Sequence, residues 1–251
     1  MRNRCSVLLT ATVHPNRSYV GTLVRDDPGV RLHEYATALR FWASFPDDRI
    51  ESVVFCENSS ADLSPLVRAA EACPRPVEFL TFQDAPTPPH VHYGFGELGI
   101  VDHAVESSRS LKASGYFLKG TGRLVFPGIK RLLDALPDDL LGAVDHRWRY
   151  RGESDPPTRA RTQLMLFDTD FYRSHLLGCR REMPGFCTHI EVLLAHKLAA
   201  GRYDRPFVRR FPVECSPSGV GGHGKQYDSL AERTKSRIRG FARRWLPGLW
   251  I

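Results

Sequence analysis

No stretch of the 251-residue chain is apolar for long enough to cross a bilayer, and the run Ser6-Val7-Leu8-Leu9 near its start is too short for the core of a signal peptide. The expected location is therefore the cytoplasm. None of the six cysteines forms a Cys-x-x-Cys pair, which argues against a zinc knuckle or a disulfide framework. Several lie inside apolar runs, where a reduced thiol acts as a small hydrophobe. No internal repeat is visible. The prolines and glycines are scattered between apolar runs and not pooled in one tract, which speaks against a disordered chain.

What is present is enough apolar content, 42%, for a packed core, and a net charge of +7 that is unevenly spread. Residues 229–251 hold Arg233, Lys235, Arg237, Arg239, Arg243 and Arg244 against Glu232 alone, so five of the seven net charges sit in this tail. A nucleic-acid binder would carry its basic face on the folded body with interleaved aromatics, so nucleic acid is not an expected partner. The expectation is one body, 1–228, followed by a basic amphipathic tail, 229–251. In that tail Leu230, Ile238, Phe241, Ala242, Trp245 and Leu249 recur near helical spacing, with Pro247 as the stop. Trp245 and Trp250 near the end of a basic amphipathic helix suit a membrane interface; the plainer reading is a helix packed on its own domain.

Along the body, apolar runs alternate with helical stripes. Residues 6–9 read as a buried strand. Residues 31–42 read as a helix through Leu32, Tyr35, Ala36, Leu39 and Trp42, and residues 50–56 as the next strand. A helix over 63–73, a strand over 77–82, a Pro/Gly-rich loop over 83–96 and a helix over 98–111 follow. After them come a strand over 115–118, a helix over 129–136, a strand over 162–167, a helix over 191–200 and a late strand within 208–213. Such alternation predicts an α/β fold with a mainly parallel sheet covered on both faces.

Directly after the strand at 115–118 comes Lys119-Gly120-Thr121-Gly122-Arg123. Glycines let a backbone approach an anion closely, while Lys and Arg supply a point charge and a forked donor, so this segment reads as a diphosphate site. A solvated charged turn is the bland alternative. The strand ends at Thr10, Thr12, Glu57, Asn58 and Ser59 lie where open α/β sheets bind ligands, although Asn and Ser are also ordinary turn residues.

Taken in order, Leu9-Thr10-Ala11-Thr12-Val13-His14-Pro15, Phe55-Cys56-Glu57-Asn58-Ser59, Tyr93-Gly94-Phe95-Gly96-Glu97 and Phe117-Leu118-Lys119-Gly120-Thr121-Gly122-Arg123 resemble bacterial GT-A-like glycosyltransferases of surface-polysaccharide (O-antigen or capsule) gene clusters. The resemblance spans residues 6–228. It implies a single Rossmann-like GT-A domain with a mainly parallel mixed sheet, a nucleotide-sugar donor, and a glycan or lipid-linked acceptor. It places nucleotide contacts at Thr10, Thr12, Glu57, Asn58 and Ser59, and diphosphate contacts at Lys119, Thr121, Gly122 and Arg123. Glu191 is then the general base that deprotonates the acceptor hydroxyl, with His189 orienting the acceptor or sharing the proton. A Glu in a first helical turn is also favoured by the helix dipole alone.

Many GT-A enzymes carry an Asp-x-Asp metal motif where this chain has Lys119 and Arg123. Two fixed cations can offset a departing diphosphate, so metal-independent transfer is expected. The competing reading is magnesium or manganese at Asp168 and Asp170, which fit Asp-x-Asp literally but equally suit a helix N-cap. Residues 219–225 have P-loop spacing, yet Gln226 replaces the Ser or Thr that would bind magnesium, and too little chain follows for the remaining strands. This segment reads instead as a loop closing over diphosphate or acceptor through Gly222 and Lys225, or as a plain Gly-rich linker. A lipid-linked acceptor would put the protein on the inner face of the cytoplasmic membrane. The alternative to an enzyme is a non-catalytic nucleotide- or phospholipid-binding module held at the membrane by its tail.

Overall fold

A computed structural model describes residues 3–15, 23–148, 158–186, 189–199, 201–246, 248–249 and 251. The elements run β1 Cys5–Ala11, α1 Pro28–Ala43, β2 Ile50–Glu57, α2 Ser64–Ala70, β3 Val77–Thr81, α3 Gly94–Ser107, α4 Arg109–Ser114, β4 Tyr116–Thr121 and α5 Ile129–Ala135. Then come β5 Gly142–Trp148, β6 Thr158–Asp168, α6 Thr169–His175, a 3-10 turn at Cys179–Glu182, α7 Met183–Phe186, α8 Ile190–Ala199, β7 Phe207–Val208 and α9 Leu230–Trp245.

These strands form one mixed sheet in the order β3-β2-β1-β4-β6-β5-β7. β3, β2, β1 and β4 are mutually parallel, and β6 runs antiparallel to both β4 and β5. The two-residue period of β1 decides which helices cover which face. Val7, Leu9 and Ala11 pack with Tyr35, Leu39 and Trp42 of α1 and with Leu132 and Leu133 of α5, while Leu8 faces Leu98, Val101 and Val105 of α3 and Leu193 of α8. Because β1, β2 and β4 are in parallel register, Thr10, Cys56 and Thr121 lie side by side, and the loops leaving these strands meet at one edge.

Four expectations about the elements need correction. The helix anticipated over 98–111 is two helices, because Ser108 turns extended, accepts from the Leu111 amide as the N-cap of α4 and donates through its hydroxyl to Glu78. β4 continues through Lys119 and Gly120 to Thr121, so the presumed phosphate loop is mostly strand. β5 was not anticipated, since Asp145, His146 and Arg147 break its apolar pattern. The late strand is only Phe207–Val208.

α9 rests on the body by its charged side. The Arg243 guanidinium, 3% exposed, donates to Asp145 at 2.7 Å, to Glu214 at 2.9 Å and to the Phe211 carbonyl at 2.6 Å. Its apolar side points away, leaving Ile238, Phe241 and Trp245 exposed. Pro247 and Trp250 lie outside the described residues. Among the described residues no helix is long and apolar enough to cross a membrane.

Candidate active site

A cavity of about 310 Å³ opens at the carboxyl edge of β1, β2 and β4. This is where ligands of open α/β sheets bind, because helix N-termini and loop amides converge there. Its near wall is the loop after β1. Arg31 from α1 donates to the Thr12 carbonyl at 2.6 Å, to the Arg25 carbonyl at 2.6 Å and to the Tyr35 hydroxyl at 3.1 Å. The Thr12 amide donates to that same hydroxyl at 2.9 Å. Among the described residues the acceptors of Arg31 are neutral, and Arg31 itself lines the cavity. Thr12 also donates through its side chain to Asn58 at 2.6 Å, which ties the ends of β1 and β2 together.

Thr10, Thr12, Asn58, Ser59, Thr121, Arg123, Glu191 and Gly222 all face this one cavity. Glu57 does not. Its carboxylate is fully buried and accepts from the Val13, Ser59 and Ala61 amides and the Ser59 and Thr81 hydroxyls. With no room left for a ribose, it braces the loop and does not contact nucleotide. Gly122 shapes the wall from behind: a Cβ there would come within 2.7 Å of the Thr10 carbonyl and 3.2 Å of the Tyr35 ring.

Lys119 requires a similar correction. Its side chain is 0% exposed, beneath the floor of the cavity, where the ammonium pairs with Glu97 and donates to the Thr162 carbonyl at 2.6 Å. A diphosphate could reach it only by displacing Glu97, so Lys119 positions Glu97, which does line the cavity. Arg123 stays in the wall, donating to the Val220 carbonyl at 3.1 Å and lying 3.4 Å from Glu34. Lys225 turns away from the cavity, 3.3 Å from Glu232 and over the Tyr227 ring. The segment around it is a tight turn, with Val220 bridged to Gln226, and Gly222 accepts from the Val24 and Arg25 amides.

Glu191 enters from the first turn of α8. Its Oε2 is buried and accepts no hydrogen bond among the described residues. Burial pushes its carboxyl above the usual range and outweighs the opposing pull of its own backbone amide, while the nearby Glu97 charge adds a smaller upward push. Glu97 and Glu191 thus line one cavity in different settings, Glu97 paired with Lys119 and Glu191 in no salt bridge among the described residues. His189 lies one layer back, its ring stacked on His92 at 4.7 Å. Burial, then the neighbouring His189 and His223, holds His92 down at about 4, so it stays neutral at physiological pH. The hydroxyl of Tyr93 meets the His223 ring nitrogen at 2.7 Å beside the cavity.

The metal alternative at Asp168 and Asp170 is overturned by topology. Asp168 pairs with Tyr116 at the start of β4, at the amino edge of the parallel strands and so at the end of the sheet opposite the cavity. Asp168 caps α6 through the Asp170 and Phe171 amides and pairs with Arg205 at 3.1 Å, while Asp170 points into solvent. At the cavity, the end of β4 presents Thr121 and Arg123 in place of the paired carboxylates of an Asp-x-Asp motif, so that strand end supplies no ligand pair for a divalent cation. Among the described residues no group of three metal-ligating side chains converges anywhere.

Sequence reasoning passed over Arg31, Tyr35, Glu97 and the Asp84–Arg180 pair. Arg180 reaches Asp84 at 2.9 Å by crossing α3 at Gly99, where a Cβ would collide with the guanidinium. The usable signal was the Gly-Phe-Gly-Glu run itself, since glycines flanking an acid in a helix N-terminus mark close backbone approach.

No protein-family model matches the chain, and no curated protein matches it. Solved structures do. The chain is similar to the bifunctional glycosyltransferase WbbM in its apo form, with a TM-score of 0.52 and 11% identity over 97% of this chain and 45% of that one, so it spans less than half of that protein. It is also similar to 4-diphosphocytidyl-2C-methyl-D-erythritol synthase from Anaerococcus prevotii DSM 20548, with a TM-score of 0.47 and 10% identity over 94% of this chain and 98% of that one. A glycosyltransferase involved in the glycosylation of the major capsid of PBCV-1 gives a TM-score of 0.45 and 13% identity over 83% and 82% of the two chains. At such identities the likeness speaks for architecture alone: a single α/β, Rossmann-like domain of the GT-A type.

Proposed function

We propose that this protein is a glycosyltransferase that moves a sugar from a nucleotide-sugar donor to a hydroxyl of a surface-polysaccharide or lipid-linked glycan. One observation carries the reading: Glu191, a carboxylate whose buried Oε2 has no hydrogen-bond partner among the described residues, stands in the wall of a cavity at the ligand-binding edge of a GT-A-type sheet. In this reading Thr10, Thr12, Asn58 and Ser59 hold the nucleotide. Thr121, Arg123 and Arg31 face the diphosphate, whose charge grows as the glycosidic bond breaks. Glu191 takes the acceptor's hydroxyl proton as that oxygen attacks the anomeric carbon and the nucleoside diphosphate leaves.

Incubation with a panel of nucleotide sugars tests this. Slow release of free nucleoside diphosphate, accelerated by an acceptor glycan, is the expected result. Binding without turnover, even with acceptors present, would assign the protein to the non-catalytic nucleotide- or phospholipid-binding class instead.

The acceptor reading extends to α9. Ile238, Phe241 and Trp245 follow one another at three- and four-residue spacing on its outward side, between the exposed cations Arg233, Lys235, Arg237 and Arg244. An apolar stripe between cations matches an anionic leaflet, each cation there adding about 1 kcal/mol. The full chain should co-sediment with phosphatidylglycerol vesicles, and Phe241→Ser combined with Trp245→Ser should weaken this at least about tenfold, given the apolar area removed. Undiminished sedimentation of the double variant would remove the membrane from the proposal.

A further inference from the structure

Behind the main cavity lies a second, smaller one of about 110 Å³, lined by Arg147 of β5, Arg161 of β6, Lys225, and Glu232 and Arg239 of α9. Gln163 and Tyr227 line both cavities, so the two adjoin. The charge balance here is one-sided. Among the described residues Glu232 is the only lining acid, and it is already shared by Lys225 at 3.3 Å and Lys235 at 2.9 Å. Beneath it, Glu214 and Asp145 are shared by Arg147, Arg161 and Arg243. Among the described residues six cations therefore face three carboxylates, and Arg239 has no salt bridge.

An excess of cations in a half-buried space is costly unless an anion enters. Burial, and then the neighbouring Arg161, press the Arg147 guanidinium down to about 10, and Arg239 is likewise held low, by burial first. Arginine forks converging on a small polar space, with the Ser216 side chain in the same wall, match the tetrahedral oxygens of a phosphate better than a single carboxylate.

We propose that this second cavity is a phosphate site, taking the phosphate or diphosphate group of an acceptor whose hydroxyl reaches Glu191 through the shared wall at Gln163 and Tyr227. Calling that molecule the acceptor rests on the glycosyl-transfer reading; the phosphate site itself does not. The phosphate has two possible sources, a lipid-linked diphosphate or a soluble phosphorylated compound.

Calorimetric titration of the full chain with inorganic pyrophosphate, with UDP present in excess to fill the main cavity, tests the site. Saturable binding is expected, weakened at least tenfold in Arg239→Gln and in Arg161→Gln. Arg239→Gln removes no salt bridge among the described residues, so it keeps the test valid if Arg161→Gln fails to fold. Absence of saturable binding, or equal affinity in Arg239→Gln, would overturn the proposal. Farnesyl diphosphate separates the sources: binding at least tenfold tighter than pyrophosphate supports the site with a lipid ligand, and equal binding supports it with a soluble one. If the nucleotide-sugar panel shows no turnover while pyrophosphate still binds through Arg239, the transfer reading fails and the phosphate site stands.

Discussion

Replacing Glu191 with Gln should lower acceptor-dependent transfer by about two to four orders of magnitude, the range that general bases contribute, while nucleotide affinity stays unchanged. Gln keeps the shape of the side chain and its place in the first turn of α8 but cannot take a proton. The pH profile gives a second readout. Burial raises the carboxyl of Glu191, so the group must lose its proton at a higher pH than an ordinary glutamate before it can act, and the acidic limb of the rate should lie correspondingly high. Stability should move the other way. A carboxyl whose folded-state pKa is raised binds its proton more tightly in the folded protein, so its ionisation penalises the fold as pH rises past the unfolded value. Glu191→Gln should therefore melt higher than the parent at neutral pH, with the difference vanishing in acid. A structural glutamate would show the reverse, and a variant that transfers sugar at the parent rate would exclude Glu191 as the base.

The same residue shows what a sequence can and cannot reveal. The place of Glu191 at the head of α8 was legible because an acid opening an apolar helix is a local pattern. β1, α1 and β2 were legible for a similar reason, since their periodicity is local. Lys119 was misread because its partner, Glu97, stands 22 residues earlier and only the parallel register of β1 and β4 brings α3 over that ammonium. Glu57 was misread because a strand-end acid looks the same whether it faces a ligand or gathers its own loop's amides. Arg31 was passed over as the polar side of a helical stripe, although it is buried and clamps the β1 loop. β5 was missed because Asp145, His146 and Arg147 read as surface, whereas Asp145 is buried against Arg243, 98 residues away. In each case the missing information was the partner's position.

Arg243→Met is expected to cost about 3 kcal/mol of stability, the lower end of what breaking a buried charge network costs. The loss is not that of one favourable contact. It comes from leaving Asp145, 1% exposed, and Glu214, 6% exposed, with less positive charge in a dry setting. Arg147 and Arg161 stay at 3.2 to 3.6 Å from these carboxylates and limit the damage. For a chain of this length the melting temperature should fall by about 6–12 °C. Arg243→Lys should fall between the two, keeping the charge but losing the fork that reaches Asp145, Glu214 and the Phe211 carbonyl together. Pairing Arg243→Met with Asp145→Asn should recover part of the loss, because the stranded charge is removed with its partner. Acid titration supplies the sign check: burial pushes the Asp145 and Glu214 carboxyls up, but the surrounding arginines win and hold both below the usual range. The stability they contribute is therefore present above their unfolded pKa and is lost as pH falls through the lower folded values. Without Arg243 that loss should begin at a higher pH. A variant as stable as the parent at neutral pH would mean that α9 is not held by this network, and the second cavity, two of whose lining side chains α9 supplies, would lose its frame.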